Sequence, residues 1–229
     1  MTVPTPASAE SASPRKTVFL VDDHPLVREW LTNLINQQPD LLVCGEADSS
    51  SEALKSILAQ RPDVVVADIG LRDSSGLDLI KSLKHSRAGL PVVVLSMHDE
   101  SHYAERALAA GARGYVMKRE STGKVIAAIY HVLRGKLFVS EAVASHLVEH
   151  LVKGRHADLA SAVETLSDRE MQVFELLGEG RGTRQIGDTL GITLKTVQAY
   201  CARIKEKLDV RTATELLREA VRFHESTRP

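Results

Sequence analysis

Four apolar residues, VVVA (64–67), run straight into a single carboxylate, Asp68, and a loop closed by Gly76 leads to apolar residues at helical spacing, Leu77, Ile80 and Leu83. A short unbroken valine-rich run between turn residues predicts a strand buried on both faces, the habit of parallel sheets. Asp68 then falls at the carboxyl end of that strand, where open α/β sheets bind their ligands. Standing alone, such an aspartate is more often a turn cap. Its company elsewhere in the chain decides otherwise.

The strand-then-helix unit recurs along the first half of the chain. VFLV (18–21) ends in Asp22 and Asp23, and residues 25–37 carry Leu26, Trp30, Leu31, Leu34 and Ile35 at helical spacing. LLVCGEA (41–47) precedes a helix through Ala53, Leu54, Ile57 and Leu58. After the Asp68 unit come VVVLS (92–96) with a helix over 100–110 ended by Gly111, then GYVM (114–117) with a helix over 122–134 ended by Gly135. Five such units predict an α/β domain with one doubly wound, five-stranded parallel sheet and right-handed crossovers. A chain of 229 residues with 43% hydrophobic content has room for a second, smaller core. Only Cys44 and Cys201 occur, far apart and each in an apolar stripe, which excludes a disulfide framework and predicts a reducing cytoplasm. No apolar run approaches the roughly 20 residues needed to span a bilayer. The opening MTVPTPASAESASP is small, polar and proline-containing, and predicts a disordered tail over residues 1–15.

In a doubly wound sheet the strand ends converge on one crevice. Asp22 and Asp23 end the first strand, Asp68 the third and Ser96 the fourth, and Lys118 follows the fifth. Three carboxylates held close repel one another unless a cation lies among them. Oxygen ligands without a Cys or His cluster favour Mg²⁺, which keeps waters and accepts a phosphate partner. A serine hydroxyl and a lysine ammonium across from such an ion form a site for a phosphoryl group. The chemistry this predicts is attack of the Asp68 carboxylate on phosphorus to give an acyl phosphate.

From VFLVDDHPLVR through VVVADIGL and VVVLSMHD to GARGYVMK, the chain resembles the receiver domain of two-component response regulators, a flavodoxin-like fold. The resemblance implies that Asp68 is phosphorylated by a sensor histidine kinase. It implies that Asp23, Asp68 and the backbone carbonyl of Gly70 hold Mg²⁺, with Asp22 assisting through water. Ser96 and Lys118 match the phosphate-sensing hydroxyl and the ion-pairing lysine, and Tyr115 matches the aromatic that swings inward; spacing alone would make Tyr115 a half-buried strand residue. Many receivers carry proline where this chain has Arg72, Asp73 and Arg119. Gly70 and His98, two residues beyond Asp68 and Ser96, are expected to border the phosphoryl group. Gly70 offers no side chain to shield it from water and so influences its lifetime, whereas His98 could orient an attacking water but reads better as a solvated loop residue.

Residues 140–152 form a short apolar-striped helix, followed by the polar linker KGRHADLASA. His146, His150 and His156 lack Cys or carboxylate companions and predict solvated or packing side chains. From Leu166 the chain turns helical in short pieces: a capping box at SDRE (167–170), a second helix capped by Thr183 and closed by Gly191, a third from Thr193, and a fourth from about Ala213 to Phe223. Val197, Cys201, Ile204 and Leu208 form the core stripe of the third, and opposite them lie Lys195, Gln198, Ala199, Ala202 and Arg203. Between Thr193 and Arg211, Lys195, Arg203, Lys205, Lys207 and Arg211 exceed Glu206 and Asp209 by three charges. Glutamine can read adenine and alanine can meet a thymine methyl, so the face suits a major groove; from charge alone it equally suits solvent.

The run LSDREMQVFELLGEGRGTRQIGDTLGITLKTVQAYCARIKEKLDVRTATELL resembles the LuxR-type helix-turn-helix, departing from it at Tyr200 and Ala202. It implies duplex DNA contacts from Lys195, Thr196, Gln198, Ala199, Ala202, Arg203, Lys205 and Lys207. The two resemblances in this order match the NarL/FixJ class. The expected protein is a cytoplasmic, Mg²⁺-dependent, phosphorylation-controlled transcription factor, not an enzyme or membrane protein, that dimerises when phosphorylated. The expected divisions are 1–15 (tail), 16–138 (receiver), 139–164 (connecting helix and linker) and 165–229 (DNA-binding domain). The main rival is a regulator that binds DNA regardless of phosphate. A haloacid dehalogenase-type phosphatase would need an acid where Gly70 stands, and a ligand-sensing LuxR-type regulator would have no use for the Asp22, Asp23, Asp68, Ser96 and Lys118 set.

Overall fold

The computed structural model describes residues 14–71, 75–97, 100–153, 163 and 165–226. Strands β1 (Lys16–Val21), β2 (Leu41–Ala47), β3 (Val64–Ala67), β4 (Val92–Ser96) and β5 (Gly114–Met117) form one parallel sheet in the order β2-β1-β3-β4-β5. Between and after them run α1 (Pro25–Asn36), α2 (Ser50–Gln60), α3 (Gly76–Ser86), α4 (Glu100–Ala110) and α5 (Thr122–Leu133). Alternation along each strand divides the core. Val18, Leu20, Val64, Val66, Val93, Leu95 and Val116 pack under α1 and α5 through Leu31, Ile35, Val125 and Ile129. Phe19, Val21, Val65, Ala67, Val92 and Val94 face the other way, with α2, α3 and α4. Strands coated on both faces need apolar residues at every position, which explains why VVVA and VVVLS show no polar alternation.

The first strand begins two residues before the expected Val18, because Lys16 and Thr17 are held by Asp63: Lys16 Nζ and the Thr17 N–H and hydroxyl all donate to its carboxylate at 2.8–2.9 Å. Beyond β5, the Phe138 carbonyl accepts from the Tyr115 N–H at 2.9 Å and protects that sheet edge. Helix α6 (Glu141–Lys153) follows, its Val143 N–H donating to Ser140 Oγ, and the Ser140 hydroxyl donating in turn to Glu100 on α4.

The C-terminal domain comprises α7 (Asp168–Gly178), α8 (Thr183–Leu190), α9 (Leu194–Lys207) and α10 (Ala213–Ser226). The capping box stands as expected, with Ser167 N–H donating to Glu170 Oε2 at 2.7 Å and Glu170 N–H to Ser167 Oγ at 3.4 Å. The cap of α8 is Gly182, not Thr183, because Gln185 Oε1 accepts the Gly182 N–H at 2.9 Å and draws Thr183 into the first turn. Gly191, in the left-handed region at φ +65°, turns the chain into α9. Met171, Val173, Phe174, Leu177, Ile186, Val197, Ile204, Leu216 and Ala220 form this domain's core, in one buried cluster with the α3–α4 side of the first domain. No described helix is long and apolar enough to cross a membrane. The expectations for the tail, Arg72, Asp73, His98, His156 and the linker through Ala162, with the side chains of His146 and His150, lie outside the described residues.

Candidate functional site

The strand ends do meet. Asp68 extends the β3 ladder by one bond, its N–H donating to the Val21 carbonyl at 2.8 Å, so its side chain leaves the sheet beside Asp22 and Asp23. All three acids are buried, at 2%, 8% and 6% exposure for Asp22, Asp23 and Asp68. Such acids cannot all stay ionised without cationic or hydrogen-bonding partners. Lys118 supplies one: its Nζ lies 2.6 Å from Asp22 Oδ2 and 2.7 Å from Asp68 Oδ2. Burial alone would lower the Lys118 pKa, but Asp68 and Asp22 outweigh it and hold the ammonium above its ordinary value. The lysine is aimed by its own backbone, whose N–H donates to the Ser96 carbonyl at 2.7 Å. Ser96 is fully buried at the end of β4, and Tyr115 is buried one strand away. The Gly70 N–H donates to Asp68 Oδ1 at 3.0 Å and aims that carboxylate.

Three residues that sequence reasoning did not assign also shape the site. Gly76 lets α3 start against the loop that follows Asp68: its N–H donates to the Ile69 carbonyl at 2.9 Å, and a Cβ there would meet the Asp68 carbonyl oxygen at 2.0 Å. Arg28, one turn into α1, donates to the Asp22 carbonyl at 2.6 Å and pins the β1 end. His24 Nδ1 lies 2.7 Å from Asp23 Oδ1 and 3.2 Å from Asp22 Oδ1. The signal for His24 was its adjacency to the paired acids; Arg28 carried none beyond a helical position.

Asp22, Asp23, His24 and Asp68 each offer one donor atom, all within 4.8 Å of one another. Three buried carboxylates answered by one buried ammonium leave an excess of negative charge, so the residues present fit a divalent cation.

A second constellation joins the domains. Asp168, at the start of α7, is buried with its carboxylate 3.6 Å from both Arg106 Nε and Lys81 Nζ and 3.5 Å from the Ser75 hydroxyl. Arg106 also donates to the Leu166 carbonyl, and Arg169 to the carbonyl of Leu71, in the loop that follows Asp68. Tyr103, fully buried on α4, donates to Glu175 Oε2 at 3.2 Å; burial and that carboxylate push its phenol well above its ordinary value. These contacts span 60 to 98 residues of sequence, and no local pattern announces them.

In the C-terminal domain, Val197 and Ile204 are buried and Cys201 and Leu208 half-buried, while Lys195, Gln198, Ala199, Ala202 and Arg203 are exposed on α9. Thr196 is half-buried, its hydroxyl 2.8 Å from that of Thr193, which caps the helix. Arg203 sits 6.0 Å from the Tyr200 ring centroid, and Lys205 is half-buried. Lys207 departs from the expected set. Its Nζ lies 2.6 Å from Glu170 Oε2 and 3.0 Å from the Thr165 carbonyl, because the capping-box carboxylate is the nearest buried charge to answer.

Residues 18–130 match the family model described as response regulator receiver domain, and residues 164–220 that of bacterial regulatory proteins, luxR family. The chain is 37% identical over 202 residues to transcriptional regulatory protein UhpA of Escherichia coli K12, covering 88% of this chain and 96% of that protein. It is 33% identical over 205 residues to response regulator GacA of Pseudomonas aeruginosa, covering 90% and 95%. Among solved structures, the complex of the two-component response regulator RcsB with DNA is similar at 25% identity, covering 89% of this chain and 96% of that chain with a TM-score of 0.54.

Proposed function

Because the chain belongs to the response regulators that join a receiver domain to a luxR-family DNA-binding domain, we propose that it is a transcription factor switched by phosphorylation of Asp68. The observation that carries this reading is the Asp68 carboxylate, buried at a strand end with its Oδ1 on the Gly70 amide and its Oδ2 on Lys118. The donor is a sensor histidine kinase. An Asp68 oxygen attacks phosphorus, an O–P bond forms as the P–N bond to the kinase histidine breaks, and the electron pair returns to that imidazole. Asp23, Asp68 and the Gly70 carbonyl would hold Mg²⁺, with Asp22 assisting through water. Bound Mg²⁺ offsets the charge on the transferring oxygens. Lys118 pairs with the new phosphoryl oxygens, the Ser96 hydroxyl donates to one of them, and Tyr115 follows the space that Ser96 leaves.

On DNA, two protomers read half-sites about one helical turn apart. Lys195, Arg203 and Lys205 contact phosphates, Gln198 reads a base edge, and Thr196, Ala199 and Ala202 pack into the groove. Lys207 contributes through Glu170, by fixing α9 on α7. The RcsB complex with DNA and the name of UhpA as a transcriptional regulatory protein support this part of the reading. A protein acting on DNA through a kinase works in the cytoplasm.

One observation bears on a second reading, DNA binding independent of phosphate: the α9 face is exposed rather than covered by the receiver domain. The same exposure is expected if phosphate acts by pairing protomers. The two separate cleanly. Wild type and Asp68→Asn are treated with labelled acetyl phosphate and Mg²⁺, and incorporation, mass and duplex affinity are measured together. The wild type should take label, dimerise and bind DNA more tightly, while the variant should do none of these. Label entering the variant at an unchanged rate overturns the assignment of Asp68; equal DNA affinity with and without phosphate supports the second reading.

A further inference from the structure

His24 carries a placement that a two-acid, one-acceptor cation site does not require. The Oδ2 atoms of Asp22 and Asp68 are taken by Lys118, at 2.6 and 2.7 Å. His24 meets the Oδ1 atoms of the paired acids, with Nδ1 at 3.2 Å from Asp22 Oδ1 and 2.7 Å from Asp23 Oδ1, and its backbone N–H donates to Asp22 Oδ1 at 2.9 Å. The ring nitrogen therefore meets oxygens of the acid cluster that Lys118 does not. Its position is held from the backbone as well. His24 precedes Pro25, which disfavours helical dihedrals in the preceding residue, and it sits in the extended region at φ −97°, ψ 110° as the residue capping α1. An imidazole tethered in this way loses little freedom on meeting an ion.

Oxygen donors alone suit Mg²⁺, which gains little from a nitrogen ligand and keeps its waters. Adding an imidazole changes the preference. For a mixed nitrogen and oxygen site the affinity of divalent first-row ions rises from Mn²⁺ through Co²⁺, so an imidazole favours these transition-metal ions over Mg²⁺, Co²⁺ more than the harder Mn²⁺. The four donor atoms lie within 4.8 Å of one another, so small side-chain rotations bring them toward a common centre. We propose that His24 is a direct nitrogen ligand of this centre when it holds a first-row transition-metal dication, Mn²⁺ or Co²⁺, so that the site takes such ions more tightly than its three carboxylates would alone. The inference rests on the reading of Asp22, Asp23 and Asp68 as the cation centre of a receiver. The tautomer with its proton on Nε2, open to solvent on a side chain 60% exposed, leaves the Nδ1 lone pair to the ion.

The test uses the full chain loaded with Mn²⁺. Electron spin-echo modulation reports a nitrogen bound directly to the ion, and calorimetry gives Mn²⁺ and Mg²⁺ affinities for wild type, His24→Ala and Asp23→Ala. The wild type should show nitrogen modulation and His24→Ala should lose it. Loss of the ligand should weaken Mn²⁺ binding by at least the roughly 10–100-fold typical of losing even an outer-shell partner, with Mg²⁺ affected far less. The spectrum of the wild type is decisive whether or not the variant folds. Mg²⁺ and Mn²⁺ binding without nitrogen modulation overturns the role of His24 and leaves the cation centre intact. Equal losses for both ions in His24→Ala also overturn it, since that is a structural effect. A wild type that binds neither ion, or an Asp23→Ala that binds both unchanged, overturns the centre itself and this inference with it.

Discussion

The two working surfaces of this molecule are built in opposite ways. At the carboxylate site the acids are buried and their oxygens are aimed by fixed partners, Lys118, His24 and the Gly70 amide. On α9 Lys195, Gln198, Ala199, Ala202 and Arg203 stand in water, and the helix is held from behind by Val197, Ile204 and the Lys207–Glu170 pair. The difference follows from the tasks. A phosphoryl group must meet charges already arranged, because reorganising them at the moment of reaction is costly. A DNA face is desolvated only when the duplex arrives, and cations left in water until then serve long-range attraction. Damage to the first site should therefore be steep and damage to the second graded and salt-dependent.

Gly76 tests the steep side. A methyl group there collides with backbone, at 2.0 Å from the Asp68 carbonyl oxygen and 2.8 Å from Ile69 Cα, so α3 must move or the Asp68 loop must. Gly76→Ala should cost at least the roughly 1–3 kcal/mol of overpacking and remove most phosphorylation. Gly123→Ala, in α5 with nothing within 4 Å of its added Cβ, should be neutral or stabilising by about 0.4–1 kcal/mol. Denaturant titration and labelling of both variants decide it; equal effects would mean that the crowding at Gly76 is relieved without consequence.

Lys195→Ala and Gln198→Ala test the graded side. The first should weaken every duplex alike and reduce the slope of log affinity against log salt by about one. The second should leave that slope alone and cost about 1–3 kcal/mol at one base pair only. Fluorescence anisotropy across salt and site variants distinguishes them. A salt-independent loss at Lys195 would remove it from the phosphate contacts.

The same contrast governs what could be read in the sequence. Asp22, Asp23, Asp68, Ser96 and Lys118 were legible because each ends or follows a strand, and a parallel sheet brings such ends together whatever its loops do. The sheet itself was legible because burial on both faces demands runs such as VVVA. The exposed stripe of α9 followed from the period of Val197, Cys201, Ile204 and Leu208. The side-chain pairings were not legible. Lys207 lies in a basic cluster, and only the fold shows that Glu170, 37 residues earlier, claims it. Asp168 looks like an ordinary first-turn acid, yet Arg106 and Lys81 reach it from the other domain. Gly76 reads as a loop residue until the backbone beside it is seen.

Titration should separate the two regions from opposite ends of the pH scale. Burial would raise the Glu170 carboxyl, but Lys207 and the Ser167 N–H and hydroxyl more than offset this and leave it below its ordinary 4.5. A depressed carboxyl contributes stability that is present above 4.5 and lost as pH falls through its folded value. Lys118 is the reverse: held above 10.5, it contributes fully below that value and loses its contribution as pH rises through the folded one. Acid should thus weaken the α7–α9 joint while alkali weakens the Asp22–Asp68–Lys118 site. Glu170→Gln should flatten the dependence of the C-terminal unfolding midpoint below pH 4.5 and leave the alkaline limb unchanged. A variant as acid-sensitive as the wild type would assign that sensitivity to other carboxylates of the same domain, Glu215 first, since the Arg211 and Thr212 N–H groups hold its carboxyl below the ordinary value.

The smallest effect expected is the most informative about the buried site. Gly70 is half-buried and has no left-handed backbone requirement, and an added Cβ would stand 3.6 Å from Asp68 Oδ2 and 3.8 Å from Oδ1, ordinary contact distances. A side chain is therefore tolerated there, and it projects beside the oxygens that become the acyl phosphate. The N–H that holds Asp68 Oδ1 belongs to the backbone and survives the substitution. Gly70→Met should still be phosphorylated, because the kinase phosphoryl group arrives at Asp68 held by the same partners. Hydrolysis differs: it needs a water molecule to approach phosphorus from the solvent side, which a flexible apolar chain covers. A few-fold longer lifetime of phospho-Asp68, worth roughly 1 kcal/mol, is the expected outcome after donor removal. Phosphorylation slowed by the same factor as decay would mean that methionine obstructs both approaches to phosphorus, and an unchanged lifetime would mean that water enters by a path Gly70 does not border.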